Sequence, residues 1–263
     1  MDDKKKKAIE LLVDSSIENF VTGLTSRYEK EVDSYFCVVN MKKNNCFIAE
    51  LGEEFMFYSA FVRSFDSSFG NVLETLGNNI AKLSYDVRGN INSFMLPDQT
   101  QRIASILDSY GKHTSTPAIS HYENFDVIYP KNTVSFQTTH VTDNYFYNPD
   151  TNEHYLIMLK SLDNCNTQQV YHDKEELLTQ FFLLKNSLSN ENEIKILLFY
   201  CLPFETELNN SNNFILNIFE PNEFLLGKQY WNFVCDDNNG YSIVSNQVKK
   251  SIEKHILKVG LYD

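Results

Sequence analysis

The sequence predicts an α/β (α+β) domain in which a small mixed sheet is flanked by helices. Three observations carry that expectation. Apolar residues recur at helical spacing as far as Gly111, and beyond it the pattern changes to that of short strands. A helical stretch then precedes Glu193–Cys201, which reads as a buried strand, and helices close the chain. Finally, 263 residues with 42% hydrophobic and 14% aromatic content (20 Phe, 15 Tyr) can bury a sizeable core, while 9 Gly and 6 Pro exclude a loop-dominated design.

The elements follow in order. Lys4 to about Lys30 places Ile9, Leu12, Val13, Ile17, Phe20 and Leu24 on one helical face. Tyr35–Glu50 reads as extended or irregular, with a strand at Tyr35–Val39. The clearest helix begins near Asp66, a residue suited to N-capping, and carries Phe69, Val72, Leu73, Leu76, Ile80 and Leu83 as an apolar stripe. Pro97 to Tyr110 is a further helix stopped at Gly111. Asn124–Tyr129 reads as a strand halted by Pro130, with Thr133–Thr139 and Tyr145–Tyr147 as weaker partners. Asn148–Asn152 is a turn, Tyr155–Leu159 a strand and Asp173–Asn186 a helix. Asn209–Asn213 reads as a loop, and Asn222–Val234 and Tyr241–Lys258 as two closing helices. Residues 1–60 are expected to form an N-terminal helical or irregular segment, and 61–263 one continuous domain.

Several function classes drop out. The five cysteines show no CxxC pair, so neither a zinc site nor a disulfide framework is supported; Cys37 and Cys201 read as small buried hydrophobes. The six histidines form no HExxH, and no GxGxxG, Walker loop or GxSxG occurs. No apolar run is long enough to span a bilayer and no secretion signal is visible, so a cytoplasmic chain without membrane contact is expected. Net charge is −12, and residues 113–227 alone contribute −10, with five Lys, no Arg and fifteen Asp plus Glu. A protein that grips a phosphate backbone normally presents a basic face, so this acidic middle reads first as a solvated surface.

Chemistry is expected at three residues. Glu74 lies among small residues (Ser67, Gly70, Gly77, Ala81) on one helical edge. Asp126 is a lone acid between apolar neighbours, where it loses hydration unless something binds it. Lys160 ends the apolar strand Tyr155–Leu159. An acid on one strand and a lysine at the end of the next is the arrangement of a metal-dependent phosphodiesterase, with carboxylates holding Mg²⁺ and the lysine acting on water or the developing phosphate charge.

Three blocks resemble a known family. They are Phe61–Leu76 with its Arg63-Ser64-Phe65 start, Asp126 together with Tyr155–Lys160, and Leu225–Phe233 followed by Tyr241. On these the chain resembles the PD-(D/E)XK superfamily, and within it the TdeIII-type type II restriction endonucleases. The resemblance implies a restriction-endonuclease-like core and Mg²⁺-dependent hydrolysis of duplex DNA by a homodimer. It gives Asp126 and Glu74 as metal ligands, and Asp126, Lys160 and Glu74 as catalytic residues. The motif's second carboxylate should stand two residues before the lysine, where this chain has Met158. A thioether cannot replace a carboxylate on Mg²⁺. The substitute would come from Glu153, Asp163 or Glu74, or from a partner chain, and Met158→Glu should strengthen Mg²⁺ binding if Met158 faces the same cleft. DNA would be held by Lys4–Lys7, Lys42-Lys43 and Lys249-Lys250. The alternative is an inactive member of the same fold, a DNA-binding or protein-interaction subunit whose acidic region 113–227 docks a basic protein.

Overall fold

The computed structural model describes residues 1–32, 47, 50–125, 138–160, 166–189, 194–203 and 210–255. They fall into two compact units, Met1–Ile80 with Ser242–Asp263, and Ala81–Tyr241. The strand expected at Tyr35–Val39, Cys37 and the pair Lys42-Lys43 lie outside the described residues.

The first unit is helical. Helix α1 (Asp3–Val32) buries Ile9, Val13, Ile17 and Phe20, the face its spacing predicts. Helix α2 (Glu53–Ala81) starts thirteen residues before the expected cap at Asp66. Its first residue, Glu53, follows Gly52, whose φ is 90°. Leu73, Leu76 and Ile80 are buried as expected. Leu83 is not: the helix has ended and its side chain is 40% exposed. Helix α7 (Gly240–His255) belongs mostly to this unit. Asp14 of α1 accepts from Ser251 (2.7 Å), Lys254 (2.7 Å) and His255 (3.2 Å), and these donors hold its carboxyl down at about 2.

The second unit is built on a five-stranded mixed sheet in the order β1 (Asp86–Ser93), β2 (Thr138–Asn148), β3 (Glu153–Leu159), β4 (Lys195–Leu202), β5 (Phe224–Leu226). The first three strands are antiparallel neighbours; β3, β4 and β5 run parallel. This is the expected α+β architecture. Strand β1 gave no sequence signal, because it lies at the sheet edge and buries only Ile91 and Ser93. Strand β2 joins what read as two weaker pieces. Asn124 and Phe125 are not strand; they follow the short helix α4 (Ser120–Glu123), and 126–137 lie outside the described residues.

Helix α3 (Pro97–Gly111) appears where expected, with proline in its first turn and Gln99 accepting the Leu96 N–H. Helix α5 (Thr167–Ser187) starts six residues before the expected Asp173, capped by the Asn166 side chain, which accepts from Gln169 N. It covers one face of the sheet and buries Val170, Leu177, Leu178, Phe181 and Phe182 against Leu156, Met158, Leu198, Tyr200 and Leu202. Each such side chain stabilises the fold by roughly 2 kcal/mol. On the opposite face Tyr85, Phe146, Tyr155, Phe199 and Phe233 form an aromatic cluster. The Asn-rich segment is a 3-10 helix (Asn210–Asn217) rather than a loop. The expected helix from Asn222 is interrupted too: Pro221–Glu223 is a 3-10 turn and Phe224–Leu226 is strand, so helix α6 (Gly227–Val234) carries only the second half.

Candidate active site

Lys160 stands just past the end of β3, where its N–H still bonds Cys201 O of β4 at 2.9 Å. Strand alternation puts it on the same face as Leu156 and Met158, the face covered by α5. Met158 is 4% exposed and packs in the core, so it belongs to the apolar interior and not to an open cleft. At Lys160 this face reaches solvent, with the side chain 30% exposed.

There the ammonium meets a carboxylate from the helix. Lys160 Nζ lies 2.9 Å from Asp173 Oδ1, and the Asp173 side chain is 1% exposed. Gln169, one helical turn earlier, donates to the same oxygen at 2.9 Å, and the Tyr200 hydroxyl of β4 donates to Oδ2 at 3.1 Å. The site therefore takes its lysine from β3, its hydroxyl from β4 and its carboxylate from α5. Sequence reading took Asp173 as the first residue of a helix, a position normally solvated. The true cap at Asn166 moves it into the second turn, where it faces the sheet.

The carboxylates proposed as substitutes for Met158 fare differently. Glu153 lies at the far end of β3, about 23 Å along a strand from Lys160, and is held there by Lys195 (2.6 Å) and Tyr155 (2.6 Å), which keep its carboxyl below the usual range. Asp163 and Asp126 lie outside the described residues. Lys185 of α5 donates to the Glu123 (2.8 Å) and Phe125 (3.1 Å) carbonyls, so α5 also holds the chain up to the residue before Asp126. Glu74 is half-buried on α2, in the other unit. A further acid was missed. Asp143 is on β2 next to Asn144, whose Cα pairs with Ile157 at the end of the β2–β3 ladder. It fell in the gap between the two strand fragments read from the sequence.

The family model described as type II restriction endonuclease, HinfI, matches residues 5–252. The chain belongs to the HinfI family of type II restriction endonucleases. No curated protein matches it. For a HinfI-family chain the mixed sheet with helices against it is the fold expected of a restriction endonuclease, and DNA is the substrate class. No helix among the described residues is long and apolar enough to cross a membrane. Of the lysines read as DNA-facing, Lys4, Lys6 and Lys7 on α1 and Lys249 and Lys250 on α7 are exposed, and Lys5 is half-buried.

Among the described residues no three His, Cys, Asp or Glu side chains converge to hold a metal. Asp173 is the one described carboxylate bonded to Lys160; carboxylate oxygens are the ligand type of a hard divalent cation such as Mg²⁺, and here they accept from Lys160, Gln169 and Tyr200, donors that would give way to an ion.

Proposed function

We propose that this chain is an Mg²⁺-dependent restriction deoxyribonuclease of the PD-(D/E)XK kind that hydrolyses phosphodiester bonds in duplex DNA in the cytoplasm. The observation that carries the reading is the Lys160–Asp173 pair, an ammonium at the solvent edge backed by an enclosed carboxylate. Asp173 takes the place left by Met158, supplied from the helix instead of the strand. Asp126, or Asp143 of β2, supplies the carboxylate of the preceding strand. These acids would hold Mg²⁺, which when bound polarises the phosphate and lowers the pKa of water. Lys160 places a positive charge where negative charge builds on the phosphate and can give or take a proton from the attacking water. Tyr200 and Gln169 hold Asp173 in one orientation. The exposed lysines of α1 and α7 serve the DNA backbone, and two copies cutting a symmetric site make the working unit. The blocks resembling TdeIII-type enzymes belong to this same reading.

The test is incubation of mixed plasmid and genomic DNA with Mg²⁺ or Mn²⁺, beside Lys160→Ala and Asp173→Asn. Discrete fragments that vanish in both variants are expected; cleavage that survives both removes Lys160 and Asp173 from the reaction. A second reading is favoured by Met158, which is committed to the core, and by the acidic region 113–227: an inactive subunit that binds DNA or a basic protein. DNA binding without cleavage under any divalent cation would select it.

A further inference from the structure

Beside Asp173 stands a charge that the proposed chemistry does not use. Lys174 is fully buried, and its ammonium pairs with the equally enclosed Glu223 at 2.5 Å. Glu223 Oε1 also accepts the Tyr122 hydroxyl (2.7 Å), and its Oε2 accepts the Glu220 N–H (2.7 Å). The ammonium lies 4.6 Å from the centre of the Phe219 ring and 5.1 Å from that of Tyr122. Burial pushes the Lys174 pKa down against the pull of Glu223. An ion pair this deep gains little over two well-packed apolar side chains, because desolvation offsets the attraction. What apolar side chains could not supply is a fixed direction.

That direction bears on the site because Asp173 and Lys174 are consecutive on α5, about 100° apart around the helix. Asp173 reaches Lys160 at the end of β3 and Tyr200 on β4. Lys174 reaches Glu223, the residue before β5. Met158, Tyr200 and Phe224 are register partners across these three parallel strands. Two successive helical residues therefore hold the chain just past the end of β3, the middle of β4 and the turn that leads into β5. We propose that the Lys174–Glu223 pair is a positioning device for the candidate site: it fixes the rotation of α5 over β3, β4 and β5 and so sets the Asp173 carboxylate against Lys160. This rests on the reading of Asp173 and Lys160 as the reacting pair. A displacement of about 1 Å at such a carboxylate costs on the order of a hundredfold in rate.

The test compares the parent with Lys174→Met/Glu223→Leu, which removes both buried charges and leaves none unpaired, and with Glu223→Gln. Thermal unfolding, Mn²⁺ binding by calorimetry with and without duplex DNA, and single-turnover cleavage are measured on each. The double variant, which also leaves the Tyr122 hydroxyl and the Glu220 N–H without their acceptor, is expected to melt several degrees below the parent yet stay folded, while binding Mn²⁺ at least about tenfold more weakly and cleaving more slowly. Glu223→Gln, which keeps the Tyr122 contact and the side-chain shape, is expected to lose a smaller part of the affinity. Parent-like affinity and rate in a folded double variant overturn the proposal. If the double variant does not fold, parent-like affinity in Glu223→Gln overturns it. Asp173→Asn separates the two levels. If that variant binds Mn²⁺ and cleaves like the parent, or the parent itself binds no Mn²⁺, the reading of the site fails and the proposal with it. If Asp173→Asn loses both while the double variant keeps both, only the positioning role fails.

Discussion

Met158 and Lys160 are two residues apart on one strand edge, yet one is sealed in the core and the other reaches solvent. Restoring the acid by Met158→Glu would therefore bury a carboxylate among Leu156, Tyr200 and α5. It is expected to destabilise the fold by about 3 kcal/mol, read as a lower denaturant midpoint, and not to strengthen metal binding. Lys160→Ala should behave oppositely. Asp173 keeps Gln169 and Tyr200 as donors, so stability should fall by only about 1–2 kcal/mol, while cleavage falls by about a hundredfold or more. Matched denaturation and single-turnover assays separate the two outcomes. At this scale the sequence named the lysine but not its partner. Lysine at the end of an apolar run is visible to the eye, whereas Asp173 became legible only once Asn166, seven residues earlier, proved to be the cap.

Among the elements, those with strong periodicity were legible: α1, α3, β3, β4 and the buried stripe of α2. The failures share a cause. Strand β1 is polar because the edge of a sheet needs little apolar surface, and the Asn222–Leu226 stretch reads as helix until Glu223 is drawn inward by Lys174 and Tyr122. The α6–α7 corner gives a sharper test of element geometry. A Cβ on Gly240 would lie 2.6 Å from Trp231 O and 2.6 Å from Cys235 Cβ. Gly240→Ala should force that corner apart and cost about 1–3 kcal/mol, seen as a lower melting temperature. In the helical unit, Asp14 is held at about 2 against an ordinary 3.8 by donors from α7. Its folded-state pKa is depressed, so its contribution is present above pH 3.8 and lost as pH falls towards 2. Asp14→Asn is expected to melt lower than the parent at pH 7, with the gap closing across that acid window.

For the whole molecule, the net charge of −12 sets a condition on DNA binding. Under the proposed function, contact is local, through exposed lysines such as Lys249 and Lys250, against long-range repulsion. Affinity should fall steeply with salt, and Lys249→Gln/Lys250→Gln should lower the salt slope by about two if both touch phosphates. Charge order also matters in assembling the sheet-bearing unit. The consecutive Asp173 and Lys174 have opposite signs, and so do the groups that await them, Lys160 and Glu223. Were α5 to dock one residue out of place in one direction, Lys174 would meet Lys160; in the other, Asp173 would meet Glu223. Either neighbouring seating of the helix is thus met by a like charge, so the same four residues that complete the fold also tell the chain when it has folded wrongly.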